Sequence, residues 1–445
     1  MEDTICAVAT SMGVGAISII RLSGLKTIQI TNSIFSNTIK EKETHVIKYG
    51  FIYDNDEKID EVLVMVMRAP KTYTKEDVVE INCHGGVETT NRILELLLKK
   101  GCRLAEPGEF TKRAFLNGRI NLLESEAVNE LITAKTASKR KLALNQIGGN
   151  LTKIINDIRE NLLSLMANIE VNIDYPEYTD NLIITENILN EKLKVISEKL
   201  KKLAAGSKYG RLVSNGINVA IVGKPNVGKS SILNHLLDED KAIVTNIAGT
   251  TRDIVEGTIS LNGIEVKLID TAGIRQTDDV VEKIGVEKSN KALNEADLII
   301  LVLDGSNNLD SNDNELIKIV ESKNHIVFVN KTDKKLQLKE IDNAVYGNTM
   351  ETNGLDNLKN KLIEIFKINE INKDLTYLSN ARQIDLVNKA NDSLVKAKDS
   401  LNNGIPIDMI ESDLRSAYNF LSEIIGDVYD DAVIDRLFRD FCVGK

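Results

Sequence analysis

The 445-residue sequence predicts an α/β multidomain protein, and three changes of pattern along the chain lead to that prediction. Residues 1–118 mix short strand-like and helical segments, which is typical of an α+β domain. Residues 119–215 and 373–445 show long helical periodicity, whereas residues 216–372 alternate strand, loop and helix. Because one hydrophobic core rarely serves a chain of this length, we expect about three domains.

The N-terminal α+β domain is predicted from apolar segments bounded by turn signals. Ala16–Ile20, Val62–Met67 and Val78–Ile81 are expected to be buried strands, and the last of them runs into a turn at His84–Gly86. A helix follows, and its apolar face is formed by Ile93, Leu94, Leu97 and Leu98.

The helical stretches carry apolar residues at three- and four-residue steps. In the first stretch these are Leu151, Ile154, Ile158, Leu162, Leu165, Ile169, Leu189, Leu193, Ile196, Leu200 and Leu203. In the second they are Ile384, Val387, Leu394 and Leu401. We therefore predict one discontinuous α-helical domain, 119–215 and 373–445, into which the domain 216–372 is inserted. Insertion is tolerated where the termini of the inserted domain lie close together.

Composition narrows the class of protein. A net charge of −10 argues against non-specific coating of nucleic acid, which needs a broad positive field. A local basic patch and a solvated helix face are both open for Lys135, Lys139, Arg140 and Lys141. No apolar run is long enough to span a bilayer, and no basic signal region opens the chain, so we expect a cytoplasmic protein. The four scattered cysteines indicate reduced thiols.

The segment Gly223–Ser230 fits Gly-x-x-x-x-Gly-Lys-Ser, the loop whose backbone N–H groups wrap a nucleotide's phosphates. A strand-like run, Ile217–Val222, precedes it, and a helix start at Ser231–Leu237 follows. These flanking elements favour a phosphate-binding loop over an ordinary glycine-rich turn. The loop is expected to bind phosphate through Asn226, Val227, Gly228, Lys229, Ser230 and Ser231.

Further segments follow in the order that a GTPase requires. Ala248–Asp253 is the predicted first switch, in which Thr251 completes a Mg²⁺ shell beside Ser230. An Asn-Gly hairpin within Leu261–Ile264 leads to the strand that ends in Asp270–Gly273. There Asp270 would hold a Mg²⁺ water, and Gly273 would allow the backbone to approach the γ-phosphate. The predicted nucleotide contacts of these switches are Thr245, Asn246, Ile247, Ala248, Gly249, Thr250, Thr251, Asp270, Thr271, Ala272 and Gly273.

The segment Asn330–Asp333, Asn-Lys-Thr-Asp, predicts guanine recognition. The Asp333 carboxylate can accept from both N1–H and the 2-amino group of guanine, and adenine lacks this pair of donors. Asn330 and Lys331 complete the predicted base site, and the backbone N–H of Thr349 is expected at the guanine O6. Thr349 stands in Asn-Thr-Met, where small GTPases usually carry Ser-Ala-Lys. Together the segments predict a Ras-like P-loop GTPase domain over 216–372.

Hydrolysis needs a group that orients water, and the usual glutamine after Asp-x-x-Gly is replaced by Ile274. Candidates for this role are Arg275, Gln276, Asp278, Asp279 and Glu282. No arginine finger is evident, since Arg252 is better explained by a structural ion pair. A monovalent cation held by Asn226 is an alternative source of positive charge.

These motifs resemble the potassium-activated tRNA-modification GTPases of the MnmE (TrmE) family along the whole chain. The resemblance rests on Asn226, on the Gly249–Asp253 switch, on the insertion into a helical domain, and on the tail Cys442–Lys445. Pro107–Thr111 and Arg113–Gly118 match the family's N-terminal domain.

The resemblance implies roles for particular residues. Potassium would be held by Asn226, Thr245, Ile247 and Thr250, and Glu282 in Glu282–Gly285 would be the catalytic glutamate. The N-terminal domain would be of a folate-binding type, taking 5,10-methylene- or 5-formyl-tetrahydrofolate at Arg21, Glu80, Arg119 and Lys445. Cys442 resembles the tail cysteine implicated in tRNA modification.

The resemblance also implies partners. Family members dimerise through their N-terminal domains and work with the FAD protein MnmG (GidA) in a hetero-oligomer. Together they attach a carboxymethylaminomethyl or aminomethyl group to C5 of the tRNA wobble uridine. Two alternatives are a ribosome-assembly GTPase, which would not need the tail motif, and a non-catalytic scaffold, which would not need Lys229, Ser230, Thr251 and Asp270.

Overall fold

The computed structural model describes residues 3–174, 186–239, 257–270, 293–373 and 375–444. The chain forms two compact units, Met1–Asn129 with Tyr418–Lys445, and Glu130–Ala417. Among the described residues, no helix combines the length and the apolar composition needed to cross a membrane.

The first unit is built on one mixed sheet. Its strands are β1 (Ile5–Val8), β2 (Ile17–Ser23), β3 (Val46–Asp54), β4 (Glu57–Met67), β5 (Val78–His84) and β6 (Arg103–Leu104). Their order is β3-β4-β5-β2-β1-β6, in which β1 and β6 are parallel and the other pairs antiparallel. Its helices include α1 (Thr27–Asn32), α2 (Val87–Lys99) and α3 (Glu109–Leu116). Helix α4 (Leu122–Ile132) begins in this unit and ends in the second.

Packing of the first unit follows the period of each element. Val62, Val64 and Val66 on β4 are buried, whereas Leu63 between them is 47% exposed, so this strand buries one face only. On α2 the fully buried apolar residues are Ile93, Leu96 and Leu97. The predicted face is therefore correct at Ile93 and Leu97, while Leu94 and Leu98 lie at its edge, partly buried.

The second unit contains the long helices. They are α5 (Ala137–Ile147), α6 (Asn150–Asp174), α7 (Glu186–Asn215) and α12 (Ala381–Asn402), and α13 (Ile407–Ile425) continues from here into the first unit. The apolar residues predicted to form the inner face of α6 are buried except Ile154, which is 38% exposed. Its neighbour Ile155 occupies the core position instead. A choice between a three- and a four-residue step decides which of the two faces inward.

The same unit contains a second sheet. Its strands are β7 (Ile217–Val222), β8 (Gly257–Leu261), β9 (Ile264–Asp270), β10 (Leu298–Asp304), β11 (His325–Asn330) and β12 (Val345–Tyr346). Their order is β12-β11-β10-β7-β9-β8, parallel except for the β8–β9 hairpin. Helices α8 (Lys229–Glu239), α9 (Ser311–Glu321), α10 (Asp356–Ile365) and α11 (Ile368–Ile371) accompany it. Leu298–Leu303 is buried throughout, as expected for a parallel strand with both faces covered.

The β8–β9 hairpin packs against α5. Its two turn residues, Asn262 and Gly263, have φ of 46° and 85°, which confirms the predicted Asn-Gly turn. A Cβ on Gly263 would lie 2.5 Å from Ser138 Oγ, so the turn touches the start of α5. Ser138 Oγ in turn donates to Asn372 Oδ1 over 2.7 Å.

Two lysines of the basic set considered above, Lys135 and Lys139, also lie near the contact between α5 and the β8–β9 hairpin. Lys139 Nζ donates to the carbonyl of Ser214 over 3.0 Å, and Lys135 Nζ lies 3.6 Å from Glu265 Oε1 on β9. Burial lowers the pKa of Lys139, and the nearby carboxylates of Glu130 and Glu265 oppose that shift. Lys139 therefore joins parts of the unit, whereas the next two residues of the set, at 140 and 141, are exposed.

Candidate functional site

The phosphate-loop segment connects β7 to α8, as the sequence predicts. Lys229, the first residue of α8, is only 7% exposed. Its Nζ donates to the carbonyl oxygens of Gly223 and Lys224 over 2.8 and 2.7 Å. The ammonium group thus lies within the loop, at the N-terminus of a helix, where partial positive charge already favours an anion.

The loop depends on two residues in the left-handed region. Asn226 has φ of 66° and Gly228 has φ of 104°. A Cβ on Gly228 would lie 2.2 Å from Asn330 Nδ2, so the position admits only glycine. Asn330 is 2% exposed and donates from Nδ2 to the carbonyl of Val227 over 2.8 Å. The Asn-Lys-Thr-Asp motif predicted to recognise the base therefore supports the phosphate-loop segment directly.

Lys331 makes a second link between the two motifs. Its Nζ donates to the carbonyl of Asn226 over 2.9 Å and to Asp304 Oδ2 over 2.6 Å. Asp333, the predicted guanine-binding carboxylate, is exposed two positions further on. An exposed carboxylate beside a fixed loop is free to accept from a ligand.

The segment Asn348–Met350 forms its own turn. Asn348 is 5% exposed, and its Oδ1 accepts hydrogen bonds from the backbone N–H groups of Met350 and Glu351, both over 3.0 Å. Its Nδ2 donates to Thr332 Oγ1 over 3.3 Å, next to Asp333. Asn348 therefore fixes this loop although the usual Ser-Ala-Lys is missing, and Thr349 lies at its partly exposed tip.

Only some of the predicted magnesium and switch residues lie within the part of the chain that the structure describes. Asp270 is the last residue of β9 and lies in register with Ile221 of β7, so its backbone is next to the strand that feeds the phosphate loop. The other predicted switch residues lie outside the described residues: Thr245, Asn246, Ile247, Ala248, Gly249, Thr250, Thr251, Thr271, Ala272, Gly273, Ile274 and Glu282.

Two of the predicted folate residues meet in the first unit. Arg21 on β2 pairs in register with Glu80 on β5, and its Nε donates to Glu80 Oε1 over 2.8 Å. Arg21 Nη1 donates to the carbonyl of Gly444 over 3.0 Å. The tail motif is thereby brought to the predicted folate residues, and its last residue, Lys445, lies outside the described residues.

Tyr73 lies against two of the predicted folate residues, Arg21 and Arg119, but the sequence did not indicate it. Arg119 Cζ lies 4.7 Å from the centroid of its ring, and Arg21 Cζ lies 5.9 Å from it. The Tyr73 hydroxyl is hydrogen-bonded to Thr111 Oγ1 over 2.9 Å. No local motif marks Tyr73, which lies between β4 and β5, because long-range packing alone brings it close to the two arginines.

Cys442 is exposed, while the backbone around it is fixed. Its carbonyl accepts a hydrogen bond from Gly108 N over 3.2 Å. Gly108 has φ of 70°, and a Cβ there would lie 2.6 Å from the carbonyl of Phe438, in helix α14 (Asp431–Arg439). The Pro107–Thr111 segment and the tail Cys442–Lys445 are therefore in contact, and the Cys442 thiol beside this contact is exposed to solvent.

The phosphate loop follows β7, and the Asn-Lys-x-Asp motif that is hydrogen-bonded to it begins at the last residue of β11, so both lie at the carboxyl ends of parallel strands. This arrangement defines a P-loop GTPase. The family model "MnmE helical domain" matches residues 122–442, and the model "GTP-binding protein TrmE N-terminus" matches residues 4–119. The chain belongs to the MnmE family of tRNA modification GTPases, and it is a GTP hydrolase. Both the predicted family and the predicted fold class are confirmed.

Close relatives span the chain. It is 49% identical to the tRNA modification GTPase MnmE of Streptococcus thermophilus (strain CNRZ 1066), covering 100% of this chain and 98% of the relative. It is also 49% identical to the protein of the same name from Ligilactobacillus salivarius (strain UCC118), with the same coverage. A crystal structure of a variant of Aquifex aeolicus Era bound to GDP and AlF4⁻ is 26% identical over 40% of this chain and 66% of that one, with a TM-score of 0.26, too low to support an argument.

Proposed function

We propose that this GTPase uses GTP hydrolysis, activated by potassium, to drive modification of certain tRNAs at the wobble uridine. With an FAD-dependent partner of the MnmG (GidA) type, it would add a carboxymethylaminomethyl or aminomethyl group to C5. The carbon would come from 5,10-methylene- or 5-formyl-tetrahydrofolate. The observation that carries this proposal is that Arg21 contacts Glu80 and the tail carbonyl of Gly444, while Arg21 and Arg119 both lie against the ring of Tyr73.

The site suits a folate in its donors and acceptors. Arg119 is exposed, and among the described residues no carboxylate lies within ion-pair distance of it. A guanidinium in that state can take a glutamate carboxylate of the folate, and Lys445 would supply a second cation. Glu80 can accept from pterin N–H groups, and the Tyr73 ring offers a flat surface to a flat heterocycle. A tetrahydrofolate bound there would supply one carbon unit.

The phosphate loop suits the nucleotide and its metal ions. Lys229 would meet the phosphates, while Ser230 and Thr251 would bind Mg²⁺ and Asp270 would hold one of its waters. Asn226 is exposed, and the structure gives its amide no hydrogen bond to any described residue. That amide is therefore available to hold K⁺, together with Thr245, Ile247 and Thr250. Glu282 is proposed to orient the attacking water, since Ile274 cannot.

The proposal extends to the assembly. Two copies are expected to dimerise through their N-terminal domains, and the FAD protein would join them in a hetero-oligomer in the cytoplasm. The net charge of −10 supports a division of labour in which the partner makes much of the tRNA contact. The exposed Cys442 thiol is proposed to act in the modification reaction.

The deciding experiment is mass analysis of wobble uridine in tRNA from cells that lack this chain. Loss of the modified nucleoside, restored by the wild-type gene but not by a Glu282→Ala gene, is the expected result. An unchanged nucleoside profile would overturn the proposal. Accumulation of unprocessed rRNA instead would move the assignment to ribosome assembly.

A further inference from the structure

Asp304 is a largely buried charge that none of the recognised motifs includes. It is the last residue of β10 and lies in register with Asn330 of β11. Its side chain is 14% exposed. The carboxylate accepts hydrogen bonds from Lys331 Nζ over 2.6 Å, and from the N–H and Oγ of Ser306 over 2.9 and 2.6 Å.

Burial would raise the pKa of Asp304, but these hydrogen bonds outweigh it and hold the pKa at about 2. The group is therefore an anion at any physiological pH.

The Lys331 ammonium is shared between this anion and the phosphate loop. The same Nζ that reaches Asp304 donates to the carbonyl of Asn226. Lys331 itself has φ of 64°, and Asn226 has φ of 66°. Left-handed backbone is unfavourable for a residue other than glycine, so it persists where surrounding contacts hold it. Asp304, Lys331 and Asn226 thus form one chain of contacts from a strand end to the loop.

We propose that Asp304 is a positioning residue for nucleotide and cation binding. It holds the Lys331 ammonium on the carbonyl of Asn226 and thereby fixes the backbone from which the Asn226 amide extends. Removing its charge leaves Lys331 free to move into solvent, and the loop then loses its support at Asn226. The part of this inference that concerns potassium rests on the proposed potassium dependence; the part that concerns the nucleotide does not.

The variant Asp304→Asn tests the inference in the full-length chain, because it keeps the size of the side chain and removes its charge. We expect affinity for a fluorescent GDP analogue to fall about tenfold, as one charge-assisted hydrogen bond is lost. We also expect the K⁺ concentration for half-maximal GTP hydrolysis to rise several-fold, with the melting temperature nearly unchanged.

Asp310→Asn is the matched control. Asp310 Oδ2 lies 2.6 Å from Nζ of Lys224, another lysine of the phosphate loop, but Asp313 Oδ2 lies 2.7 Å from the same atom and would keep it in place. Asparagine also serves as well as aspartate at the N-cap position that Asp310 occupies on α9. This control should bind GDP like the wild type.

The outcomes separate the inference from the proposed function. Wild-type affinity and wild-type potassium response in Asp304→Asn would overturn the inference. The double variant Asp304→Asn/Lys331→Met gives a second test, because Asp304 is proposed to act only through Lys331. If the double variant loses as much GDP affinity as the two single variants added together, the inference is also overturned. Equal wild-type turnover in K⁺ and Na⁺ would overturn the potassium dependence, and the GDP affinities would then decide the role of Asp304.

Discussion

Arg21 and Gly444 lie 423 positions apart, yet Nη1 of the first donates a hydrogen bond to the carbonyl of the second over 3.0 Å. The same guanidinium holds Glu80 through Nε. An arginine can serve both because its five N–H donors are fixed in a plane. A Cβ on Gly444 would lie 2.5 Å from the carbonyl of Val8, so glycine is needed for this approach. The tail backbone is thus a structural part of the proposed folate site.

Tyr73→Leu should weaken tetrahydrofolate binding by about tenfold, because an aromatic face and its contacts with two guanidinium groups are lost. Calorimetric titration of the full-length variant with 5-formyl-tetrahydrofolate measures the effect. Tyr73→Phe is the matched control, since it keeps the ring and loses only the hydrogen bond to Thr111. If both variants bind like the wild type, the ring has no role in this site.

Gly228→Ala should abolish measurable GDP binding, because the new methyl group would collide with Asn330 Nδ2 at 2.2 Å and φ is 104°. Gly13→Ala provides a control, since a Cβ there meets nothing within 4 Å. Fluorescence titration with a GDP analogue compares the two. Tight binding by Gly228→Ala would contradict the packing described for the two motifs.

Replacing K⁺ by Na⁺ should collapse GTP turnover while GDP binding is kept, if a cation at Asn226 assists hydrolysis. Asn226→Gly should remove the difference between the two salts, since glycine tolerates the left-handed φ of 66° but has no amide. Steady-state phosphate release in each salt is the measurement. A persisting potassium preference in Asn226→Gly would place the cation elsewhere.

Glu282→Ala should bind GTP like the wild type and hydrolyse it at least a hundredfold more slowly, in the range found for a lost general-base or water-positioning group. Single-turnover hydrolysis separates binding from chemistry. A near-wild-type rate would assign the role to another of the acidic or polar residues that follow Ile274.

Acid should destabilise the first unit through Glu109. This carboxylate is 5% exposed and accepts from Arg113 Nη2 over 3.0 Å and from Glu106 N over 2.8 Å. Burial would raise the pKa of Glu109, but the hydrogen bonds, chiefly from Arg103, lower it below the ordinary 4.5. A lowered pKa in the folded state means that the stabilisation is complete above pH 4.5 and is lost as pH falls through the folded value.

Glu109→Gln should therefore lower the melting temperature at neutral pH and flatten its fall between neutral pH and about pH 3. Because Arg113 keeps Asp3 and Glu76 as partners, we expect a loss of about 1.5–3 kcal/mol, which is the range for a hydrogen bond to a charged group. Glu43→Gln is the control, because Glu43 pairs with Lys48 at the surface. Scanning calorimetry at several pH values would show parallel curves for wild type and Glu109→Gln if the Glu109 charge has no such role.

Local signals predicted much of the nucleotide domain. The phosphate loop, the Asn262-Gly263 turn and the strand from Leu298 depend on short segments whose chemistry is readable without their neighbours. Errors arose where tertiary packing decides between similar options, as for Ile154 and Ile155 on α6. Tyr73 and Asp304 carry no local signal, since each matters through partners that only the folded chain brings near.

Strand β9 connects the turn at Gly263, which packs against α5, to Asp270. Its first residue follows the Gly263 turn seated on Ser138, and its last is Asp270, which opens Asp-Thr-Ala-Gly. Seven residues of extended chain hardly stretch, and at about 3.3 Å per residue they span roughly 20 Å. A shift of Asp270 along the strand must therefore displace the turn or break its contact with α5. Strand β9 is therefore a stiff connection between Asp270, the residue proposed to hold a Mg²⁺ water, and helix α5.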